Sequence, residues 1–114
     1  MTLSASVVIN TYGRQAILKR VLNCLRWQSI ENLEVVVVVG PTRDGSYSMV
    51  KECYPSLRLV RADERNLSKS RNIGICNATG DVIAFLDDDA FPMPDWLEQL
   101  LSVYEDENVA AVGG

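Results

Sequence analysis

The sequence predicts an α/β fold in which a mostly parallel sheet is flanked by helices, and three observations carry that prediction. Strand-like and helix-like segments alternate along the 114 residues, with no repeat, linker or low-complexity tract between them. Such alternation reads as successive βαβ units with right-handed crossovers. Val35 to Val39 are five consecutive valines, and so long a β-branched run favours a strand buried on both faces, the mark of a parallel sheet. Asp87, Asp88 and Asp89 follow directly on the apolar run Val82-Ile83-Ala84-Phe85-Leu86, and open α/β sheets bind ligands outside the carboxyl ends of their strands.

The elements follow in order. Ser6 to Ile9 is a short β-branched strand closed by the polar turn Asn10-Thr11-Tyr12-Gly13. From Arg14 to about Gln28, Ile17, Leu18, Val21, Leu22 and Leu25 recur at helical spacing among polar residues, which is the pattern of an amphipathic helix. Leu33 to Val39 is the valine-rich strand, ended by Gly40-Pro41. Asp44 or Ser46 is placed to cap a helix running to about Tyr54, before Pro55. Leu57 to Ala62 alternates apolar and basic residues, as a strand nearer a sheet edge does. Asn66 or Ser68 starts a further helix that ends before Thr79-Gly80. Val82 to Leu86 is the strand that meets the aspartates, and beyond Pro94 the residues Trp96, Leu97, Leu100, Leu101 and Tyr104 pattern another helix. Val109 to Val112 reads as the start of a final strand.

Composition narrows the chemistry. One domain over residues 1–114 fits the length, which is enough to bury a core. A net charge of −4 argues against a nucleic-acid-binding face, which needs a basic stripe. The chain has no histidine, so triads, metal ligands and general bases built on histidine are excluded within it, and acid–base or metal work falls to carboxylates. Cys24, Cys53 and Cys76 are odd in number and form no C-x-x-C pair; three thiols in or near the core of a reduced, cytoplasmic protein are expected. No stretch approaches a membrane span, and the opening apolar strand is too short for a signal peptide. Two N-glycosylation patterns, at Asn66 and Asn77, read as chance in that setting.

Three carboxylates at a strand end repel one another unless a positive charge neutralises them. A hard divalent cation does this with oxygen ligands and often bridges carboxylates to substrate phosphates; the other reading is a solvated acidic loop capping the next helix. After the first strand, Thr11, Tyr12 and Arg14 offer a hydroxyl, an aromatic ring to stack on a base and a guanidinium, although Tyr12 also fits a partly buried loop aromatic. Arg65, Lys69 and Arg71 are the densest basic cluster. Lys69 and Arg71 precede the acidic strand end, facing a diphosphate near a helix N-terminus or forming a solvated helix face. No G-x-G-x-x-G follows the first strand and no G-x-x-x-x-G-K-S/T occurs, which removes the common dinucleotide and P-loop modes of holding phosphate.

Four collinear segments resemble family 2 glycosyltransferases of the GT-A fold. They are Ser6 to Arg14, Asn66 to Gly74, Thr79 to Asp89 with its D-x-D signature, and Pro94-Asp95-Trp96-Leu97. The resemblance implies that Thr11, Tyr12 and Arg14 line the pocket of a nucleotide-diphosphate sugar donor. It brings Lys69 and Arg71 toward its base or phosphates, and gives Asp44, at the end of the loop after the second strand, a donor-binding role. Asp87 would hold the ribose or metal side, Asp89 would coordinate Mn²⁺ or Mg²⁺ on the diphosphate, and Asp88, the variable middle position, would support them electrostatically. The sequence departs from the family pattern where an Asp pair often follows the second strand: those positions are Val39 and Gly40, and Asn10 stands where proline is common. A uridine preference therefore does not follow.

The resemblance also implies a second half, with the acceptor site and a carboxylate general base, beyond Gly114. The expectation is thus the donor-binding half of a metal-dependent inverting glycosyltransferase, inactive in transfer by itself, cytoplasmic, from a full-length protein that could associate with a membrane. A non-catalytic nucleotide-binding or self-assembling module derived from such an enzyme is the rival, and a nucleotidyltransferase a weaker third. Self-association through an unpaired sheet edge near Val109 to Val112 is expected as well.

Overall fold

The computed structural model describes residues 3–113. Four strands, β1 (Ala5–Thr11), β2 (Leu33–Val39), β3 (Arg58–Arg61) and β4 (Val82–Phe85), alternate with four helices, α1 (Gln15–Leu25), α2 (Ser46–Cys53), α3 (Leu67–Asn77) and α4 (Trp96–Val103). The strands form one sheet in the order β3-β2-β1-β4, and every pairing is parallel. The chain therefore moves outward from β1 to β2 to β3 and then returns past β1 to lay down β4.

That return splits the helices between the two faces and explains the valine run. Ala5, Val7 and Ile9 of β1 and Val35, Val37 and Val39 of β2 pack with α1, α2 and α4, whereas Val8, Val36 and Val38 pack with Ile73 of α3. All five valines are buried, as a central parallel strand covered on both sides requires. Helix α1 buries Leu18, Val21, Leu22 and Leu25, the i, i+3, i+4, i+7 stripe read from the sequence. Helix α3 has a weaker apolar stripe and approaches the sheet through Gly74, where an added Cβ would collide with Val8 Cγ1.

At the amino ends of the strands, Glu34 ties three segments together. Its carboxylate accepts hydrogen bonds from the Ser6 hydroxyl (2.9 Å), the Thr79 N–H (2.9 Å) and the Thr79 hydroxyl (3.1 Å). Gln28, buried past the end of α1, donates to Met93 O (2.7 Å) and accepts from the Leu97 N–H (3.1 Å), which fixes the start of α4.

Two expectations are corrected. Residues 109–112 form no strand; the β-branched pattern has no partner strand to pair with among the described residues, and a strand exists only through its partner. Cys53 and Cys76 are exposed and Cys24 is half-buried, because they lie on helix positions turned away from the apolar stripes. No helix of the described residues is long and apolar enough to cross a membrane.

Candidate functional site

The strand order places a topological switch between β1 and β4, where the two halves of the sheet diverge. Ligand crevices of open α/β sheets form at the carboxyl side of such a switch. The loops after β1, β2, β3 and β4 meet here, around a cleft of about 400 Å³. Thr11, Tyr12, Arg14, Gly40, Arg65 and Asp88 are among its walls, together with Asn10, Asn66 and Ser70.

Asp88 ties the loop after β4 to the end of β1. It is buried, with 9% of its surface exposed. Its Oδ2 accepts the Thr11 hydroxyl at 2.8 Å and its Oδ1 accepts Arg14 Nη1 at 3.3 Å. The same Arg14 nitrogen donates to Asp89 Oδ2 at 3.1 Å. A single guanidinium thus neutralises two of the three aspartates from the β1 side. Asp87 and Asp89 are exposed on either side of buried Asp88, in a turn that the Ala90 N–H closes onto Asp87 O at 3.2 Å.

Tyr12 projects from the β1 turn, and the Arg65 guanidinium lies over its ring, 4.3 Å from the centroid. Gly40 lies against the ring: a Cβ there would sit 2.9 Å from Tyr12 Cδ2. Asn10 Oδ1 is buried without a hydrogen-bond partner among the described residues, the kind of orphan that marks where a ligand or water completes a polar set. Asn66 caps α3 by accepting the Lys69 N–H at 3.1 Å.

The residues singled out from the sequence separate into two groups. Thr11, Tyr12, Arg14 and Asp88 meet in the cleft, and Asp89 joins them through Arg14. Lys69 turns to Glu64, Nζ to Oε2 at 2.9 Å, and Arg71 lies toward the Phe85 ring, 6.0 Å from its centroid. Asp44 serves the helix starts: Oδ2 accepts the Gln15 N–H at 3.1 Å, and Oδ1 accepts the Ser46 N–H and hydroxyl at 3.0 and 2.7 Å. Burial pushes the Asp44 carboxyl up, but the hydrogen bonds from Ser46 and Gln15 outweigh it and hold its pKa below the ordinary value. Arg65, read only as part of a basic cluster, and Asn10, noted only as a departure, belong to the cleft; their lining role depends on strand order, which no local pattern encodes.

A larger groove of about 850 Å³ lies at the opposite, amino end of the sheet, with Leu25, Leu33, Tyr54 and Leu57 in its walls. Its arginines are already engaged, Arg26 over the Tyr54 ring at 4.7 Å and Arg58 with Glu34 at 3.7 Å. The strand-end cleft, with converging charge and an orphaned amide, is the better candidate.

Comparison with known proteins shows the family and the fold. Residues 6–114 match the family model described as glycosyl transferase family 2. The glucosyl-dolichyl phosphate glucuronosyltransferase of Haloferax volcanii is 34% identical over 119 residues, covering 98% of this chain and 38% of that protein. A mannosyltransferase from Pyrobaculum calidifontis, solved in complex with GDP-Man and Mn²⁺, superposes with a TM-score of 0.84 at 28% identity, covering 96% of this chain and 34% of that one. S. aureus TarS in complex with UDP-GlcNAc is 24% identical with a TM-score of 0.75, covering 98% of this chain and 37% of its own, and shows likeness of fold alone. The chain spans 38% or less of the length of the curated relatives it matches, 32% in the case of the putative glycosyltransferase EpsH of Bacillus subtilis. It belongs to glycosyl transferase family 2, and its sheet is that of the GT-A fold.

Proposed function

We propose that this member of glycosyl transferase family 2 is the donor-binding part of a metal-dependent, inverting glycosyltransferase that uses a nucleotide-diphosphate sugar. The observation that carries the reading is the cleft at the β1/β4 switch, where Thr11, Arg14 and Asp88 interlock beside two exposed carboxylates. Within it, Tyr12 and Arg65 serve the nucleoside end, and Arg14 supplies positive charge beside the acidic strand end.

Asp87 and Asp89 suit Mn²⁺ or Mg²⁺ by the chemistry of their oxygens. Such ions use one or two carboxylates and fill the remaining positions with phosphate oxygens and water, so a cage of three protein ligands is not needed; among the described residues none exists. When bound, the ion supplies charge stabilisation for a departing diphosphate. Asp88, held by Thr11 and Arg14, keeps the two outward carboxylates in register. Acceptor binding and general-base catalysis fall, in this reading, to the part of such proteins that this chain does not span, and residues 1–114 alone transfer no sugar at an enzymatic rate. The inverting course rests on the family resemblance.

The absence of carboxylates at Val39 and Gly40 favours a second reading, a non-catalytic module that retains nucleotide affinity. Sugar transfer by the whole protein, abolished in Asp89→Asn, separates the two. The donor-site reading is tested by calorimetry of nucleoside diphosphates with and without Mn²⁺. Affinity should require the metal and fall by orders of magnitude in Asp89→Asn, since truncating one partner of a hydrogen-bonded charge contact costs about 2–5 kcal/mol. Equal affinity in chelator and in metal would sink the assignment.

A further inference from the structure

We propose that the outer face of α1 and α4 is a self-complementary docking surface, on which a second copy of this chain seats its acidic α4 against the basic α1 and its own α1 against the first copy's α4. None of the residues it uses lines the strand-end cleft, and the inference does not rest on the donor-site reading.

Charge is segregated along the chain. Residues 1–30 hold four of the eleven Lys and Arg and no Asp or Glu, whereas residues 72–114 hold nine of the fifteen Asp and Glu and no Lys or Arg. The fold brings the two segments together. Leu18, Leu22 and Leu25 of α1 share one core with Leu97 and Leu101 of α4. Gln28 accepts the Leu97 N–H at 3.1 Å, and the Ser29 N–H donates to Pro94 O at 2.8 Å. A basic segment and an acidic one therefore stand side by side in the layer on one face of the sheet. They do not neutralise each other. Among the described residues, Lys19, Arg20 and Arg26 take part in no ion pair, and neither do Glu98 and Glu105. Arg20 instead lies over the Phe91 ring, 5.3 Å from its centroid.

The same face carries uncovered apolar surface. Trp27, just past the end of α1, is 76% exposed and Met93 69%, with Phe91 and Val103 also exposed. Large aromatics and arginine dominate the binding energy of protein interfaces, and opposed charges orient the partners. The charge pattern selects the occupant. An anionic lipid surface suits α1 but is repelled by α4 beside it, and a basic partner meets the converse objection. A second copy turned about a two-fold axis through the face satisfies both helices, because an isologous contact that sets α1 on α4 also sets α4 on α1.

The test is the oligomeric state, by sedimentation equilibrium, of the whole protein that carries this sequence. Three charge-reversed forms are compared with the wild type: Lys19→Glu with Arg20→Glu, Glu98→Lys with Glu105→Lys, and all four substitutions together. The wild type should be a dimer that weakens as salt rises. Either pairwise reversal sets like charges face to face at both contacts and should weaken the dimer by roughly a hundredfold or more. All four together exchange the two patches and should restore it. An equimolar mixture of the two pairwise variants should give a heterodimer, a recovery that misfolded protein cannot produce. Trp27→Ala, which leaves the charges in place, should cost about tenfold or more in dimer affinity. A monomeric wild type would overturn the proposal, and co-sedimentation of that monomer with phosphatidylglycerol vesicles would assign the face to lipid instead. A dimer unmoved by either pairwise reversal would place the interface elsewhere and sink the proposal. Weakening with no recovery in the mixture or in the fourfold variant would refute the reciprocal contact.

Discussion

Replacing Thr11 by valine isolates the contact that joins β1 to the acidic strand end. The two side chains have nearly the same shape, and Thr11 is only 5% exposed, so the substitution removes a hydroxyl from a closed space. Asp88 loses its 2.8 Å hydrogen bond and keeps only the longer contact to Arg14 at 3.3 Å. A hydrogen bond to a charged group contributes about 1.5–3 kcal/mol net. The new buried methyl returns up to about 0.8 kcal/mol, which leaves a net loss of about 1–2 kcal/mol. For a chain of this size that is a fall of about 4–8 °C in Tm. Urea unfolding followed by fluorescence of Trp96, which packs against the core, gives the free energy. Thr11→Ser, which keeps the hydroxyl, should recover most of it. A double-mutant cycle with Asp88→Asn then reads the pair directly. Additivity within about 0.5 kcal/mol, the behaviour of independent sites, would refute the view that Thr11 and Asp88 lock the switch.

Two further expectations concern the frame that holds the site. Burial pushes the Glu34 carboxyl up, but hydrogen bonds from the Thr79 N–H, the Ser6 and Thr79 hydroxyls and the charge of Arg58 outweigh it, so its folded pKa lies below the ordinary 4.5. A depressed carboxylate stabilises the fold above its unfolded pKa and loses that contribution as pH falls through the folded value. The stability gap between wild type and Glu34→Gln should therefore be widest near neutrality and close below pH 4.5; a constant gap in urea titrations from about pH 7 to about pH 3 would contradict this linkage. Gly74→Ala drives a methyl into Val8 Cγ1, a fully buried β-branched side chain that has no flexible end to give. Overpacking of this kind costs about 1–3 kcal/mol, and Val8→Ala in the same chain should restore part of it; a Gly74→Ala protein as stable as the wild type would show that α3 shifts freely.

What could be read from the sequence is what local pattern determines. The valine run is buried on both faces because every residue of a central parallel strand meets a helix. Asn66 caps α3 as its position before the helical pattern suggests. The expected strand at Val109 to Val112 rested on β-propensity alone, and propensity without a partner makes no strand. The candidate site was half legible. Thr11, Tyr12 and Arg14 sit in one turn and could be grouped by adjacency, but Asp88 lies 77 residues from Thr11. As the middle of three aspartates it carries only a supporting role in the sequence reading, yet the turn after β4 brings it inward to Thr11 and Arg14 and leaves its neighbours exposed. Arg65 reaches Tyr12 from a loop two strands away, and only the order β3-β2-β1-β4 makes them neighbours.

The charge arrangement at the switch constrains what can bind there. On one side stand Arg14 and Arg65, together with the N-terminus of α3, whose residues Asn66 and Leu67 line the cleft and whose free N–H groups favour an anion. On the other side Asp87 and Asp89 extend outward around Asp88. Arg14 already serves two carboxylates with one nitrogen, so a single cation entering alone competes with a resident positive charge. A lone anion is drawn to Arg65 but repelled by the aspartates a few ångströms beyond Arg14. In the proposed donor-site reading, a diphosphate carrying its own divalent ion would meet neither objection: its negative oxygens would be drawn to the basic side and its metal to the exposed carboxylates. If the proposed reading holds, nucleotide and metal should bind with positive coupling, each raising the affinity of the other by the same factor.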